Sequence, residues 1–207
     1  MSSPSKHLIL ASASPRRADL LRQLGLAFEV IPSEIPEVLP PGPVKEAVTA
    51  LALAKARAVA RLAGPAVVLG ADTAVVLAGE AFGKPESPED ARRMLRALRG
   101  REHEVITGVA LVEVPAGREE TAAVVSRVLM REYSEAEIDA YVASREPFDK
   151  AGAYAVQAAG GALVARVDGC YTNVVGLPLT TTRRLLVGSG MRICVGGTRP
   201  PARDEQV

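Results

Sequence analysis

The segment Leu8-Ile9-Leu10-Ala11-Ser12-Ala13-Ser14-Pro15-Arg16-Arg17 constrains this chain more than any other. A short apolar run reads as a buried strand. Two small hydroxyl residues follow, and then a proline and two arginines open a helix. Ser14 suits the N-cap and Pro15 the first helical position. The unpaired N–H groups of that helix and the positive end of its dipole would face the same place as Arg16 or Arg17. Such a junction is an anion pocket whose geometry suits phosphate. The plain alternative is a capped helix with two solvated arginines.

Composition narrows the partners. With 207 residues, 48% of them hydrophobic and 24% charged, the chain suits one soluble domain with a real core. A net charge of +1 offers no footprint for nucleic acid or an acidic membrane. Aromatics at 3%, with no tryptophan, argue against a base-stacking platform. Lysine occurs only at 6, 45, 55, 84 and 150, while arginine fills most other basic positions. The two side chains differ in kind, lysine being a compact point charge. Cys170 and Cys194 lack CxxC spacing, so two thiols in a reducing cytoplasm are expected. No signal-peptide pattern opens the chain, and no apolar run of ~18 residues marks a membrane span.

Hydrophobic periodicity predicts strands at Leu8–Ala11, Phe28–Ile31, His103–Val114 and Thr121–Arg131. Val67–Leu77 reads as one strand or two joined by a bend, with a turn at Ala78-Gly79-Glu80. A further strand follows Gly160-Gly161 and ends near Val167. Helices are expected at Pro15–Leu24, Val44–Leu62, from Ser87 to Leu98, from Ser134 with a capping box, and from Pro178 to Val187. Ser33 to Pro41 is proline-broken and acidic, hence a loop, as is Pro147–Tyr154. Residues 1–187 make one domain, and 188–207 read as a Gly/Pro/Arg-rich, mostly disordered tail. The class is α/β or α+β with one mixed sheet.

Asp72 is the sharpest single residue. Its neighbours in Val67–Leu77 are nearly all apolar, and a carboxylate there needs a cation, a metal or several N–H donors. It is therefore a candidate metal ligand or general base. Gly70 would let a ligand approach the backbone. Lys84, in Gly83-Lys84-Pro85, folds back beside Asp72 if a hairpin forms, and suits phosphate as a point charge. Glu37, or Glu34 in its place, is a loop acid able to supply a second oxygen ligand for Mg²⁺ or Mn²⁺. Gln157 can donate and accept at once, which suits the edge of a nucleobase. His7 and His103 are the only histidines, so zinc and a Ser-His-Asp triad are disfavoured. Neither GxxxxGK[ST] nor GxGxxG occurs.

Ser12–Arg17, Gly70–Thr73, Gly83–Pro85, His103–Gly108, Asp149–Tyr154 and Val174–Pro178, taken in order, resemble the motifs of the Maf family over roughly residues 7 to 187. The resemblance implies a fold of the inosine-triphosphate-pyrophosphatase type: a bent mixed sheet flanked by helices, with a deep central cleft. It implies hydrolysis of a nucleoside triphosphate between its α and β phosphates. The loop Asp149–Tyr154 resembles the branch that prefers dTTP and UTP rather than 7-methyl-GTP. By the same resemblance Asp72, Glu37 and Lys84 form the catalytic set, Asp72 as proton acceptor. Asp72 and Glu37 would hold Mg²⁺ or Mn²⁺. Ser14, Arg17, Lys55 and Lys84 match phosphate-handling positions, while Arg16, Thr73 and Gln157 match positions that set specificity. A cytoplasmic homodimer is implied as well. Ala155 and Ala158 stand where relatives often have glycine, which is expected to narrow the base pocket. The alternative readings are a regulator of division that binds nucleotide or a protein partner without turnover, and a pyrophosphatase for 7-methyl-GTP or other modified nucleotides.

Overall fold

The computed structural model describes residues 6–193. Its strands are β1 (Leu8–Leu10), β2 (Glu29–Val30), β3 (Ala66–Leu77), β4 (Glu80–Phe82), β5 (Glu102–Val114), β6 (Glu119–Met130) and β7 (Val164–Asp168). Its helices are α1 (Pro15–Arg22), α2 (Val44–Ala60), α3 (Pro88–Leu98), α4 (Glu135–Ala143), α5 (Tyr171–Val175) and α6 (Leu179–Gly188). Short 3-10 turns at Glu146–Asp149, Ala151–Ala153 and Ala158–Leu163 fill the region expected to be loop. Val67–Leu77 is one continuous strand, without the bend that was the other option. Glu34 to Pro41 is irregular, as its prolines require.

One mixed sheet runs β2-β1-β3-β5-β6-β7, with β4 paired to the end of β3. β1 is parallel to β2 and β3, and the remaining pairs are antiparallel. Alternation along β3 sorts its side chains between two faces. Val68, Ala74 and Val76 turn toward α2, where they meet Val48, Ala52 and Ala56. Val67, Leu69 and Ala71 turn the other way, onto Leu20 and Leu21 of α1 and Leu185 and Leu186 of α6. Further along that face, Val75 and Leu77 join Leu95 and Leu98 of α3 and Ile138 of α4. The two long strands β3 and β5 thus tie together one core under α1 and α6 and another under α3 and α4.

Gly70 has a structural partner rather than a ligand over it. A Cβ at Gly70 would collide with the Ala52 carbonyl oxygen, and one at Gly108 would lie 2.6 Å from the Val48 carbonyl oxygen. These glycines let α2 lie directly on β3 and β5. At the C-terminus, Met191 and Ile193 pack on the α1–α6 core, so ordered chain continues past Val187. The rest of the expected tail, 194–207, and Cys194 with it, lie outside the described residues. Among the described residues no helix is long and apolar enough to cross a membrane.

Replacing Gly70 or Gly108 by alanine is expected to lower stability by about 1–3 kcal/mol, because the helix must lift off the sheet. Gly64→Ala, at a glycine with open space around its Cβ position, should stay within about 0.5 kcal/mol of wild type. Urea unfolding of the three variants checks this.

Candidate active site

The site forms where the edge of β3 is interrupted. Along one side β3 pairs with β5 from Ala66 to Val76. Along the other, β1 pairs only with Val67–Leu69 and β4 only with Val75–Leu77. Between them, residues 70–74 have no neighbouring strand on that second edge. A cleft of about 610 Å³ fills this gap. The segment leaving β1 (Ser12 to Arg17) forms one wall, the segment leaving β4 (Phe82 to Lys84) another, and Asp72 to Val75 the floor. Asp149 to Gln157 and Val174 to Gly176 close the far side.

Acids and lysines alternate on the α2 side. The Lys55 ammonium is buried and donates to Asp72 Oδ1 at 2.8 Å and to Glu37 Oε1 at 2.7 Å. Glu37 Oε2 accepts from Lys84, which is half exposed. Burial alone would raise the Glu37 pKa; hydrogen bonds from Lys55 and Lys84 outweigh it and hold the group down at about 2. Glu37 stands in the irregular segment before α2, so its position depends on these two lysines more than on local backbone structure.

The opposite face of β3 presents Thr73 to Arg17. Arg17 Nε donates to the Gly176 carbonyl at 2.9 Å, one terminal nitrogen to Ser12 Oγ at 3.2 Å and the other to Thr73 Oγ1 at 3.0 Å. All three acceptors are neutral. Burial pushes the Arg17 pKa down, while the charges of Asp72 and Glu37 pull it back up. A guanidinium held this way keeps its net charge available to a ligand. Ser14 begins α1 but makes no side-chain capping bond; instead its N–H donates to Ser12 Oγ at 3.3 Å. The Ser14 hydroxyl therefore makes no cap of the kind expected.

At the far wall, Arg16 donates to Asp149 Oδ2 at 3.1 Å, and Lys150 to Asp149 Oδ1 at 2.6 Å. Tyr154 is buried and meets Nε2 of buried His103 at 2.7 Å. Desolvation lowers the His103 pKa to about 4, so the ring is neutral near pH 7. Gln157 is exposed at the rim. Ala155 lines the cleft. Ala158 is exposed, lies outside the lining and has φ 52°, a value that favours glycine, so it does not narrow the pocket as expected.

Asp72, Glu37, Lys84, Ser14, Arg16, Arg17, Thr73 and Gln157 thus line one cleft, although they come from distant parts of the chain. Two placements differ from expectation. Lys84 pairs with Glu37 rather than with Asp72. Lys55 lies beneath the lining, spent on Asp72 and Glu37, because the glycine contacts draw α2 down onto the sheet. Sequence reasoning missed Thr107 and Asn173, both fully buried behind Thr73. The available signal was a lone hydroxyl and a lone amide in otherwise apolar runs, Val105-Ile106-Thr107 and Asn173-Val174-Val175. Among the described residues no three His, Cys, Asp or Glu side chains cluster as a metal site. Asp72 and Glu37, sharing one ammonium, are a hard oxygen pair. That set fits a cation which completes its shell with water and phosphate.

By fold and site this is an α/β domain whose interrupted sheet edge opens onto fixed cations and paired acids, an arrangement that suits a small acidic ligand. The chain belongs to the Maf family: residues 7–188 match the family model described as Maf-like protein. A dTTP/UTP pyrophosphatase of Moorella thermoacetica is 52% identical over 190 residues, covering 90% of this chain and 96% of that protein. One from Syntrophus aciditrophicus is 50% identical over 191 residues, covering 90% and 91%. A solved nucleoside-triphosphatase, dITP/XTP pyrophosphatase, from Mycobacterium abscessus aligns with TM-score 0.46 at 16% identity, over 89% of this chain and 96% of that one.

Lys55→Met should cost about 3–5 kcal/mol, because it leaves buried Asp72 without its cation. Adding Asp72→Asn should recover much of that loss in a denaturant double-mutant cycle. A second expectation concerns pH. The folded state binds the His103 proton only near pH 4, whereas the unfolded chain binds it near 6.5. The unfolded state therefore gains protons first as pH falls, and His103 removes on the order of 3 kcal/mol of stability between those values. The loss is complete below the folded pKa and absent above the unfolded one. Stability curves at pH 7, 5.5 and 4 for wild type and His103→Gln should diverge in slope over that window.

Proposed function

We propose that this chain is a nucleoside triphosphate pyrophosphatase that hydrolyses dTTP and UTP to the monophosphate and pyrophosphate. The carrying observation is the pairing, in one cleft, of an Arg17 guanidinium held by neutral acceptors only with an Asp72 carboxylate seated on Lys55. The first is a preformed anion holder and the second an oriented acid. Relatives about half identical over most of the chain carry the name dTTP/UTP pyrophosphatase, which supports the substrate class.

Cleavage of a polyphosphate depends mainly on positioning and on charge stabilisation. Arg17, Lys84 and the start of α1 hold the triphosphate and take up charge as pyrophosphate leaves. Lys55 occupies Asp72 Oδ1, so Oδ2 is the oxygen that orients the attacking water and receives its proton. The triphosphate competes with Glu37 for Lys84, freeing one Glu37 oxygen. Asp72 and Glu37 are the residues that would hold Mg²⁺ or Mn²⁺, and such an ion would supply Lewis acidity at the reacting phosphate. Thr73, Arg16 and Gln157 face the remainder of the nucleotide and set preference. A cytoplasmic location and homodimeric assembly accompany this reading through the family likeness.

Asp72→Asn keeps the shape and removes the charge. Its kcat for pyrophosphate release from dTTP should fall about 10²- to 10⁴-fold. Nucleotide binding should persist in calorimetry with a non-hydrolysable analogue. A variant that turns over dTTP at near the wild-type rate rules out the role assigned to Asp72.

A further inference from the structure

Thr73 sits in a hydrogen-bond chain whose polarity the residues dictate. A terminal nitrogen of Arg17 donates to Thr73 Oγ1 at 3.0 Å. Thr73 Oγ1 and Thr107 Oγ1 are 3.0 Å apart, the two residues being direct partners across β3 and β5. Thr107 Oγ1 reaches the Asn173 carbonyl oxygen at 3.0 Å. A guanidinium only donates and a carbonyl only accepts. Thr107 is fully buried and has one hydroxyl hydrogen, which goes to Asn173. Thr107 must then accept from Thr73, and the single hydrogen of Thr73 points inward. Thr73 has two acceptor positions, of which Arg17 takes one. What remains for the cleft is one lone pair and no hydrogen.

The chain is anchored behind Thr107. The Asn173 amide donates to the Val105 carbonyl and to Ser126 Oγ, each at 2.9 Å. The Gly176 N–H donates to the Asn173 carbonyl at 2.9 Å, and the Gly176 carbonyl accepts from Arg17. Reversing the Thr73 hydroxyl would forfeit a buried hydrogen bond, since the Thr107 hydrogen would have to leave Asn173.

We propose that Thr107 is a specificity-determining positioning residue: it fixes Thr73 as a pure acceptor, so the nucleotide must present a hydrogen-bond donor there. This rests on the pyrophosphatase reading above. A phosphate oxygen has only lone pairs and is disfavoured at this point, so Thr73 meets the nucleoside part. dTTP and UTP share two kinds of donor, the imide N–H of the ring and the 3′-hydroxyl. CTP lacks the imide N–H, and 3′-deoxy-UTP lacks the 3′-hydroxyl.

The test compares kcat/KM for UTP, CTP and 3′-deoxy-UTP in wild type, Thr107→Val, Thr107→Ala and Thr107→Ser, with thermal unfolding to confirm folding. Wild type should disfavour the analogue that lacks the donor by about 10- to 100-fold. Which analogue is disfavoured identifies the donor. Thr107→Val and Thr107→Ala free the Thr73 hydrogen to turn toward the cleft, so the ratio of UTP to that analogue should shrink toward unity. Thr107→Ser should restore it. A merely structural role would lower all three substrates by one factor and leave the ratios unchanged, and that result overturns the proposal. So does a wild-type protein that uses all three equally, an outcome that needs no variant to fold. If wild type releases no pyrophosphate from UTP or dTTP, the enzymatic reading fails and this proposal falls with it. Release with invariant ratios defeats this proposal alone.

Discussion

The site depends on an incomplete pairing. β3 is matched to β5 along almost its whole length, but its other edge is covered only at the two ends. Where β1 stops and β4 has not yet begun, the strand is open, and both of its faces contribute to one cavity. This geometry brings Asp72, which points toward α2, and Thr73, which points away from it, to the same cleft. A fully paired strand would keep two consecutive residues on opposite sides of the sheet. The gap also places the start of α1 and the segment after β4 at its two rims, so cations arrive from both directions.

Close packing sets the charges within that gap. α2 rests on the backbone at Gly70 and Gly108, and this depth carries the Lys55 ammonium to the level of Asp72. Buried charges are tolerated when paired and hydrogen-bonded, and Lys55 meets two carboxylates at once. One glycine contact therefore has an electrostatic consequence on the same face of the strand. Arg17 is handled differently. Its partners are a carbonyl and two hydroxyls, which satisfy its geometry while leaving its charge uncompensated by direct contact.

Much of this was legible in the sequence. The apolar run before Ser12 and the proline after Ser14 marked a strand-to-helix junction, and the structure has one there. The lone acid in Val67–Leu77 marked a buried charge in need of a partner, and Lys55 supplies it. The partner itself was not legible. α2 is so rich in alanine that its periodicity barely separates a buried face from an exposed one, and Lys55 read as a phosphate-handling lysine. Gly70 announced a close approach, yet a single glycine cannot say whether a ligand or a helix approaches. β4 and α5 span only three and five residues, too short for periodicity to register. Ser14 has the right residue type for a cap, but its hydroxyl accepts no bond from the first turn of α1, and residue type alone does not show that. Thr107 showed only as a lone hydroxyl in an apolar run; its effect is the direction of a hydrogen, which depends on a carbonyl far along the chain.

The open stretch of β3 has another consequence. An uncovered strand edge invites a second molecule to add a strand of its own, the usual first step toward edge-to-edge aggregation. Here the invitation is blocked by full charges at the notch: Arg16 and Arg17 at one rim, Lys84 at the other, and Asp72 and Glu37 between them. A neighbouring backbone docking there would have to strip water from these charges without providing compensating ones. The charged side chains at the notch also act as gatekeepers, allowing the protein to leave the middle of its sheet unfinished.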